Sequence, residues 1–432
     1  MNVDELREAW PALSAEERFE AFQQLPRDDA EDFFASQTTR SQAAILTQIP
    51  EKQRRAWVRL LPPDDLADVI QETPPEERAA VLDLLDAPTR QEVVALLAYH
   101  EDRAGGLMNP RFARVRPDMT VDEAIRYVRR QAQDHIETLY YIYAIDESQR
   151  LVGVLSFRQL LTAPGASRVS DVMERDVVTV GENDDREAVA KVVQEHDFVA
   201  VPVVAADRRL LGIVTVDDIV DVLQEEATED AQKMAGVQPL EAPYLRTSLG
   251  HMVRKRASWL AILFVGEMLT ANAMARYQQE IARAVVLACF VPLIISSGGN
   301  SGSQASTLVI RAMALGQLRL REWWRVVSRE LITGLALGAI LASIGVLRIL
   351  VWERLFHTYG AHHGLLAITV GLSVAGVVLW GTIAGSMLPF VLRRFGLDPA
   401  SASAPLVATL VDVSGLGIYF TIAALVLRGT LL

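Results

Sequence analysis

The sequence predicts a multidomain chain: an α-helical solenoid, then a tandem pair of α/β modules, then an all-α domain of five transmembrane helices. Three observations carry this expectation. A helix-start pattern recurs along the first hundred residues, two stretches between 107 and 226 echo each other, and five long apolar runs follow residue 256. Charge divides the chain at the same place. Residues 1–256 hold 47 Asp/Glu and 30 Lys/Arg, a balance of −17, whereas residues 257–432 hold 7 and 12, a balance of +5. The formal net charge of −12 argues against nucleic acid as a partner. The single cysteine, Cys289, lies in an apolar run and has no second cysteine for an internal disulfide. The polar, acidic start "MNVDELREAW" leads to the expectation that there is no cleavable signal peptide.

In the solenoid region "LSAEE" from Leu13, "LPRDD" from Leu25, "IPEKQ" from Ile49, "LPPDD" from Leu61 and "TPPEE" from Thr73 recur at multiples of twelve residues. Proline at a first helical position followed by acids in the first turn marks a helix start. Leu66, Val69 and Ile70 follow one start and Val81, Leu82 and Leu85 another, so stacked short helices are expected over 1–106. An adaptor or spacer role accounts for this repeat as well as ligand binding does.

Residues 107–166 and 167–226 change character. "TLYYIYAID", "RLVGVLSF", "FVAVPVVAAD" and "RLLGIVTVDDI" are β-rich and alternate with helical patterns over 121–131 and 186–196. "LVGVLSFRQLL" answers "LLGIVTVDDIV", and "MNPRFARVRPDMTVDEAI" answers "MERDVVTVGENDDREAV". The pair resembles tandem CBS modules, which bind adenosine nucleotides or act as regulatory dimerisers. In that family a Thr or Ser, and an Asp three residues later, hold the ribose. The resemblance thus implies an ATP-type nucleotide at Thr215 and Asp218 in the second module. The first module has Ser156 but Gln159 in place of the Asp.

Residues 227–256 are expected to form a connecting helix with a basic end that leads into the membrane. Five apolar spans follow at roughly 257–276, 284–310, 331–352, 365–392 and 405–426, each near or above the ~20 residues a bilayer requires. Ten basic residues fall on one side of them: Arg254, Lys255 and Arg256, then Arg311, Arg319, Arg321, Arg325 and Arg329, then Arg393 and Arg394. The expected topology therefore has the acidic half in the cytoplasm and the C-terminus outside an inner cell membrane.

The second span is apolar to Ile295 and then polar, with Ser296, Ser297, Asn300, Ser301, Ser303 and Gln304. Close helix packing through Gly and Ser explains part of this pattern. Loosening of the helix at Pro292 and Gly298–Gly299, to line an aqueous path, is the competing expectation. In the last span Asp412 is the only charged side chain from Pro405 to Val426. A charge at that depth costs roughly 3 kcal/mol or more, so it is expected to face a bundle interior and serve function.

"PLIISSGGNSGSQASTLVIRA", "PLVATLVDVSG" and the "EDRAGGLM" junction together resemble the MgtE family of magnesium channels, over essentially the full chain. The family's order agrees: a helical N domain (1–106), a CBS pair (107–166 and 167–226), a plug helix (227–256) and five membrane helices (257–432), assembled as a homodimer in lipid. The resemblance places Asp412 in the pore near the dimer axis. Paired carboxylates with nearby carbonyls, such as that of Ala408, would hold hydrated Mg²⁺ by its water shell. Some members carry Asn where this chain has Ala404, before Pro405. Asp398, in "FGLDPASAS", suits the inner mouth of the pore or a helix start equally. Glu267, midway along the first span, suits an ion contact or an interhelical hydrogen bond. His357, His362 and His363 read as solvated loop side chains.

The resulting expectation is a Mg²⁺-selective homodimeric channel, not an enzyme, whose cytoplasmic acids sense Mg²⁺ and whose second CBS module takes ATP. Like charges repelling across the assembly would be relieved by bridging Mg²⁺, with Glu101, Asp102, Asp221, Glu225, Glu226, Glu229 and Asp230 as the expected contributors. Transport of another hydrated divalent ion, such as Co²⁺ or Ni²⁺, is the alternative, and the lack of intramembrane His or Cys-rich paths weighs against soft metals. An intramembrane acid–base enzyme built on Glu267 and Asp412 has no supporting nucleophile or metal-ligand spacing.

Overall fold

A computed structural model describes the chain apart from residues 1, 2, 11, 134, 135, 241–243, 246, 284, 429, 431 and 432. It separates into two compact units, Met1–Glu225 and Glu226–Leu432.

The first unit begins with short helices α1 (Val3–Ala9), α2 (Ala15–Gln23), α3 (Arg27–Ala35), α4 (Thr39–Gln48), α5 (Glu51–Val58), α6 (Pro63–Glu72), α7 (Pro75–Asp83) and α8 (Ala87–Leu96). The repeated start signals act as expected. Pro63 and Pro75 stand in the first turns of α6 and α7, where a missing N–H costs nothing. Ser14 and Glu17 close a capping box on α2. The helices stack on a continuous apolar core that includes Phe33, Phe34, Leu46, Leu66 and Ile70.

After α9 (Ala104–Leu107), one three-stranded sheet follows with β1 (Arg114–Val115), α10 (Val121–Gln131), β2 (Tyr141–Ile145), β3 (Leu151–Ser156), α11 (Phe157–Thr162) and α12 (Val169–Val172). A second repeats it with β4 (Val180–Gly181), α13 (Arg186–His196), β5 (Ala200–Val204), β6 (Leu210–Thr215) and α14 (Val216–Met234). In both, the first strand pairs parallel to the second and the second antiparallel to the third. The internal echo in the sequence is thus a repeated topology, and the two sheets share an apolar cluster of Tyr143, Leu151, Ala200 and Ile213.

The connecting segment is not one helix. α14 ends at Met234, Gly236 adopts φ +73°, and the next helix starts at Leu249 behind the N-cap Ser248. Residues 241–243 and 246 of that expected helix lie outside the described residues. Arg254, Lys255 and Arg256 belong to the first long helix itself.

The second unit contains α15 (Leu249–Arg276), α16 (Gln278–Arg283), α17 (Val285–Ala288), α18 (Val291–Ala314), α19 (Trp323–Phe356), α20 (His363–Arg394) and α21 (Ala404–Val426). Five segments, Leu249–Arg276, Val285–Ala314, Leu320–Phe356, Gly360–Arg394 and Ala404–Val426, are long and apolar enough to cross a membrane. Residue 284, where the second span was expected to begin, lies outside the described residues. α20 is the centre of the bundle and α15 its periphery: 61% of the most apolar window is buried in the first and 6% in the second.

α18 does not loosen. It is continuous, with Pro292 in its first turn. Its glycines serve contact instead: a Cβ on Gly381 would overlap the carbonyl oxygen of Gly298, and one on Gly385 that of Gly302. Paired glycines four residues apart let α18 and α20 approach backbone to backbone.

Candidate ion path and carboxylate clusters

α21 carries Asp412 and is fastened from several directions. Its N-cap Ser403 accepts from the backbone N–H of Leu406 and, at 3.3 Å, from Trp259 Nε1 of α15. From α18, Ser306 Oγ donates to the Ala402 carbonyl at 2.8 Å and Ser303 Oγ to that of Ala404 at 3.0 Å. Trp380 Nε1 of α20 donates to Ser414 Oγ at 2.7 Å, and Tyr419 donates its hydroxyl proton to the Leu287 carbonyl at 2.8 Å. Of the serines expected to line a path, Ser303 therefore holds the helix that bears the carboxylate, together with Ser306 one turn on.

Asp412 is half-buried. A Cβ placed on Gly299 would lie 3.5 Å from Ala408 and 4.0 Å from Asp412 Oδ1, so α18 passes close beside the carboxylate at that glycine. Glu267 of α15 is within reach of Asp412, and Gly266 lets α15 meet Thr409 closely. Two acids thus share one face of the α15–α21 crossing, with the backbone of Ala408 one helical turn before Asp412. On α18, Ser296, Asn300 and Gln304 repeat every four residues and stay exposed. Such a polar row has no partner in a hydrocarbon environment.

The expected sensor acids divide between the units. Glu101, Asp102, Asp221 and Glu225 belong to the first. There Asp68 of α6 meets the fields of Asp65, Asp218, Glu101 and Glu225, after burial the main causes that push its carboxyl up to about 7. Burial and then the Asp218 charge raise Asp64 well above the carboxylate range, and burial, Asp217 and Asp221 raise Asp65. Asn109 donates to both Asp64 (3.1 Å) and Glu137 (2.7 Å). Asp102 sits at the rim, with Arg186 Nε 3.5 Å away, and Arg186 Nη1 donates to Glu225 at 3.1 Å. Among the described residues, no three His, Cys, Asp or Glu side chains converge tightly enough to form a ready metal cage.

Asp64, Asp65, Asp68, Asp217 and Glu137 were not anticipated from sequence. Asp64 and Asp65 sit in a first helical turn, where acids serve the helix dipole, and only Asp64's burial reveals the second role.

Thr215 and Asp218 are together, with Thr215 Oγ1 donating to Asp218 Oδ2 at 3.0 Å. Thr215 is buried at the end of β6, and Asp218 turns towards the α6 acids. Burial and then Asp217 raise its carboxyl to about 7 against the pull of the Thr215 bond. In the first module Ser156 Oγ donates to Gln159 Oε1 at 2.9 Å within a capping box, so both side chains are spent on the helix start.

Glu226, Glu229, Asp230 and Asp398 belong to the second unit. Lys233 Nζ reaches Asp398 Oδ2 at 2.6 Å and also pairs with Glu229. Burial opposes the Lys233 charge, but its bonds to Asp398 and Glu229 outweigh that and raise it. Burial and then the Asp398 field raise Asp230, and Glu226 lies near enough to contribute. Asp398 also caps the 3-10 turn Pro399–Ser401, accepting from Ala400 N–H at 2.8 Å. Its helix-start role and its place before α21 are therefore compatible. Met234 packs with Leu388 and Leu392 on Ile310, Ala400 and Ala402, so the end of α14 meets the start of α21 through both charge and apolar contact.

Comparison with known proteins gives a consistent result. Residues 291–422 match the family MgtE, described as a divalent cation transporter; 1–102 match the MgtE intracellular N domain; and 104–165 and 169–225 match the CBS domain. The magnesium transporter MgtE of Thermus thermophilus is 41% identical over 431 residues, 99% of this chain and 94% of the relative. That of Enterococcus faecalis is 35% identical over 78% of this chain and 72% of its own, and that of Bacillus subtilis 30% over 92% and 86%. A crystal structure of the cytosolic domain of the Mg²⁺ channel MgtE in complex with ATP is 42% identical, with a TM-score of 0.48, covering 51% of this chain and 90% of that one.

Proposed function

This chain belongs to the MgtE family, and from that premise we propose that it is a homodimeric Mg²⁺ channel, closed by Mg²⁺ on its cytoplasmic side and modulated by ATP. The single observation that carries the reading is Asp412. It is the lone formal charge on α21, half-buried, with Gly299 of α18 packed beside it and a helix pinned in place around it. Mg²⁺ releases water reluctantly, so a carboxylate beside carbonyls that grips the hydrated ion suits passage better than a closed cage. The bare polar row on α18 supports a second copy, since a facing chain would cover it or enclose water along it. The domain roles follow: 1–106 and the modules 107–166 and 167–226 sense, 227–256 connects, and 257–432 conducts, with the sensing part in the cytoplasm and the C-terminus outside.

The acid-rich contact of α6 with the start of α14 supports Mg²⁺ sensing. Asp64, Asp65, Asp68 and Asp218 crowd together with raised protonation, the condition a hard divalent cation relieves. Asp221, Glu225 and Glu101 extend that field, while Asp102 is reserved by Arg186. Glu226, Glu229 and Asp230 form a second group with Asp398, and Lys233 links α14 to the approach of α21. ATP is supported by the Thr215–Asp218 pair. Since Asp218 also belongs to the acid cluster, a bound ribose would share a carboxylate with the Mg²⁺ sensor.

The test is flux through the purified protein in liposomes against a divalent series, with and without internal Mg²⁺. Preference for Mg²⁺ over Co²⁺ and Ni²⁺, with closure by internal Mg²⁺, is expected. Preferred Co²⁺ or Ni²⁺ flux would make this a transporter of another ion.

A further inference from the structure

The arginines of the membrane domain are treated differently at its two ends. Arg348, though exposed, lies over the rings of Phe290 and Trp352, 5.6 and 5.5 Å from their centroids, and so has aromatic partners within the fold. At the opposite end, Arg311, Arg321, Arg329, Arg393 and Arg394 are exposed, and among the described residues none has a side-chain hydrogen bond or ion-paired partner. Arg325 alone in that group is paired, to Glu322 at 3.0 Å.

These guanidinia belong to three different helix ends that the fold gathers together. Val309 and Met313 near the end of α18, Val326 near the start of α19 and Phe390 near the end of α20 form one buried cluster, with Leu318 and Met387 against it. Trp323 and Trp324 project beside the arginines, 49% and 64% exposed, and meet edge to face at 5.6 Å. Phe395, just past α20, is 76% exposed. A water-facing surface explains the charges but leaves three large aromatic rings unburied. A hydrocarbon-facing surface explains the rings but strands the charges. The boundary layer of a bilayer satisfies both, because indole rings favour the headgroup level and guanidinium forks match phosphate oxygens.

We propose that this end of the membrane domain is a docking surface for anionic phospholipid headgroups, with the arginines of the α18–α19 connection and of the end of α20 as its phosphate contacts. Neutral zwitterionic lipid supplies the same phosphate but no net charge, and the excess of arginine over Glu322 and Glu330 at this end favours the anionic class. A basic residue near an anionic surface is worth about a fivefold change in local lipid partitioning.

The full chain is to be placed in nanodiscs of phosphatidylcholine mixed with phosphatidylglycerol, and the lipid retained on it counted by native mass spectrometry. Phosphatidylglycerol should be enriched, with enrichment falling as salt rises. Arg321→Gln, Arg329→Gln and Arg393→Gln together should cut that enrichment at least about fivefold. The matching Arg→Lys triple should keep most of it, and Arg354→Gln, near the other end, should leave it unchanged. Glycerol phosphate added in solution should not displace the lipid; if it does, the surface binds free phosphate and the lipid assignment fails. Equal phosphatidylglycerol retention by the wild type and the Gln triple would also overturn it. None of these readouts uses ion flux, so they stand or fall apart from the channel reading.

Discussion

Asp412 and Asp68 are both carboxylates on helices, yet their company differs in kind. Along α21 Asp412 is the only formal charge, its one acidic neighbour among the described residues is Glu267 on another helix, and hydrogen bonds from Trp259, Ser303, Ser306 and Trp380 fix the helix that carries it. Asp68 stands among Asp65, Asp218, Glu101 and Glu225, in a fold whose neutral partner there is Asn109. A fixed, nearly solitary charge gives an ion a place to pause without trapping it. A crowd of like charges stores repulsion that an ion can discharge, which makes it a conformational lever. Under the proposed function, the same residue type would serve passage in one unit and detection in the other.

The largest separation of the two roles is expected from Asp412→Asn. It preserves volume and hydrogen bonding but removes charge. At an effective dielectric near 20, a charge about 5 Å from a divalent ion contributes roughly 6–7 kcal/mol of direct attraction before desolvation reduces it. A remainder of only ~1.4 kcal/mol changes occupancy about tenfold. Mg²⁺ flux at matched membrane expression should fall at least that far, and Asp412→Glu should retain part of it. If Asn conducts and Glu does not, Asp412 is a packing residue and the comparison collapses.

Next in size is the joint change Asp64→Asn, Asp65→Asn, Asp68→Asn. Flux at low internal Mg²⁺ should persist, while closure at high internal Mg²⁺ should shift to at least several-fold higher concentration. Closure at the wild-type concentration would move the sensor away from α6. Asp218→Ala, third, should weaken ATP binding about tenfold by calorimetry, roughly the value of a hydrogen bond to a charged group. Ser156→Ala should leave it unchanged, because that hydroxyl is engaged in capping α11. Equal effects of the two would remove the distinction between the modules.

The smallest expected effect is on pH dependence. Asp68 and Asp218 are raised from 3.8 to about 7 in the folded unit, so the folded state holds more protons than the unfolded one between those values. Stability contributed by these groups is therefore greatest at low pH and is lost as pH rises from about 4 to about 7. One unit of net shift at one carboxylate is worth about 1.4 kcal/mol. In chelator, amide-exchange protection of α6, corrected for intrinsic rate, should be lower near pH 8 than near pH 5.5, and Mg²⁺ should narrow the gap. Protection that rises with pH would contradict the crowded-acid account.

Local patterns in the sequence revealed the elements well and their juxtapositions poorly. The proline and acid signals mark the starts of α6 and α7, and the helical patterns over 121–131 and 186–196 coincide with α10 and α13. The module echo became two sheets of one topology, because strand and turn chemistry act within a few residues. Asp64 and Asp65 were hidden because a first-turn acid already has a local reason to exist. Only the approach of α6 to α14, more than a hundred residues apart, gives them another. The glycines of α18 were open to two readings, since Gly permits both bending and close approach. The facing pair Gly381 and Gly385 decided it in favour of approach.

The glycine contact also distributes stiffness. With Gly298 against Gly381 and Gly302 against Gly385, the backbones of α18 and α20 touch directly at those points, which favours the pair moving as a beam. α15 is an outrigger by comparison: it is bare along most of its length and is moored to α21 near Trp259, Gly266 and Glu267. Mechanical work done on this bundle would therefore be expected to enter where packing is sparsest, at α15 on that mooring, and the two carboxylates at the crossing are the part of the structure that a swing there would pull apart or press together.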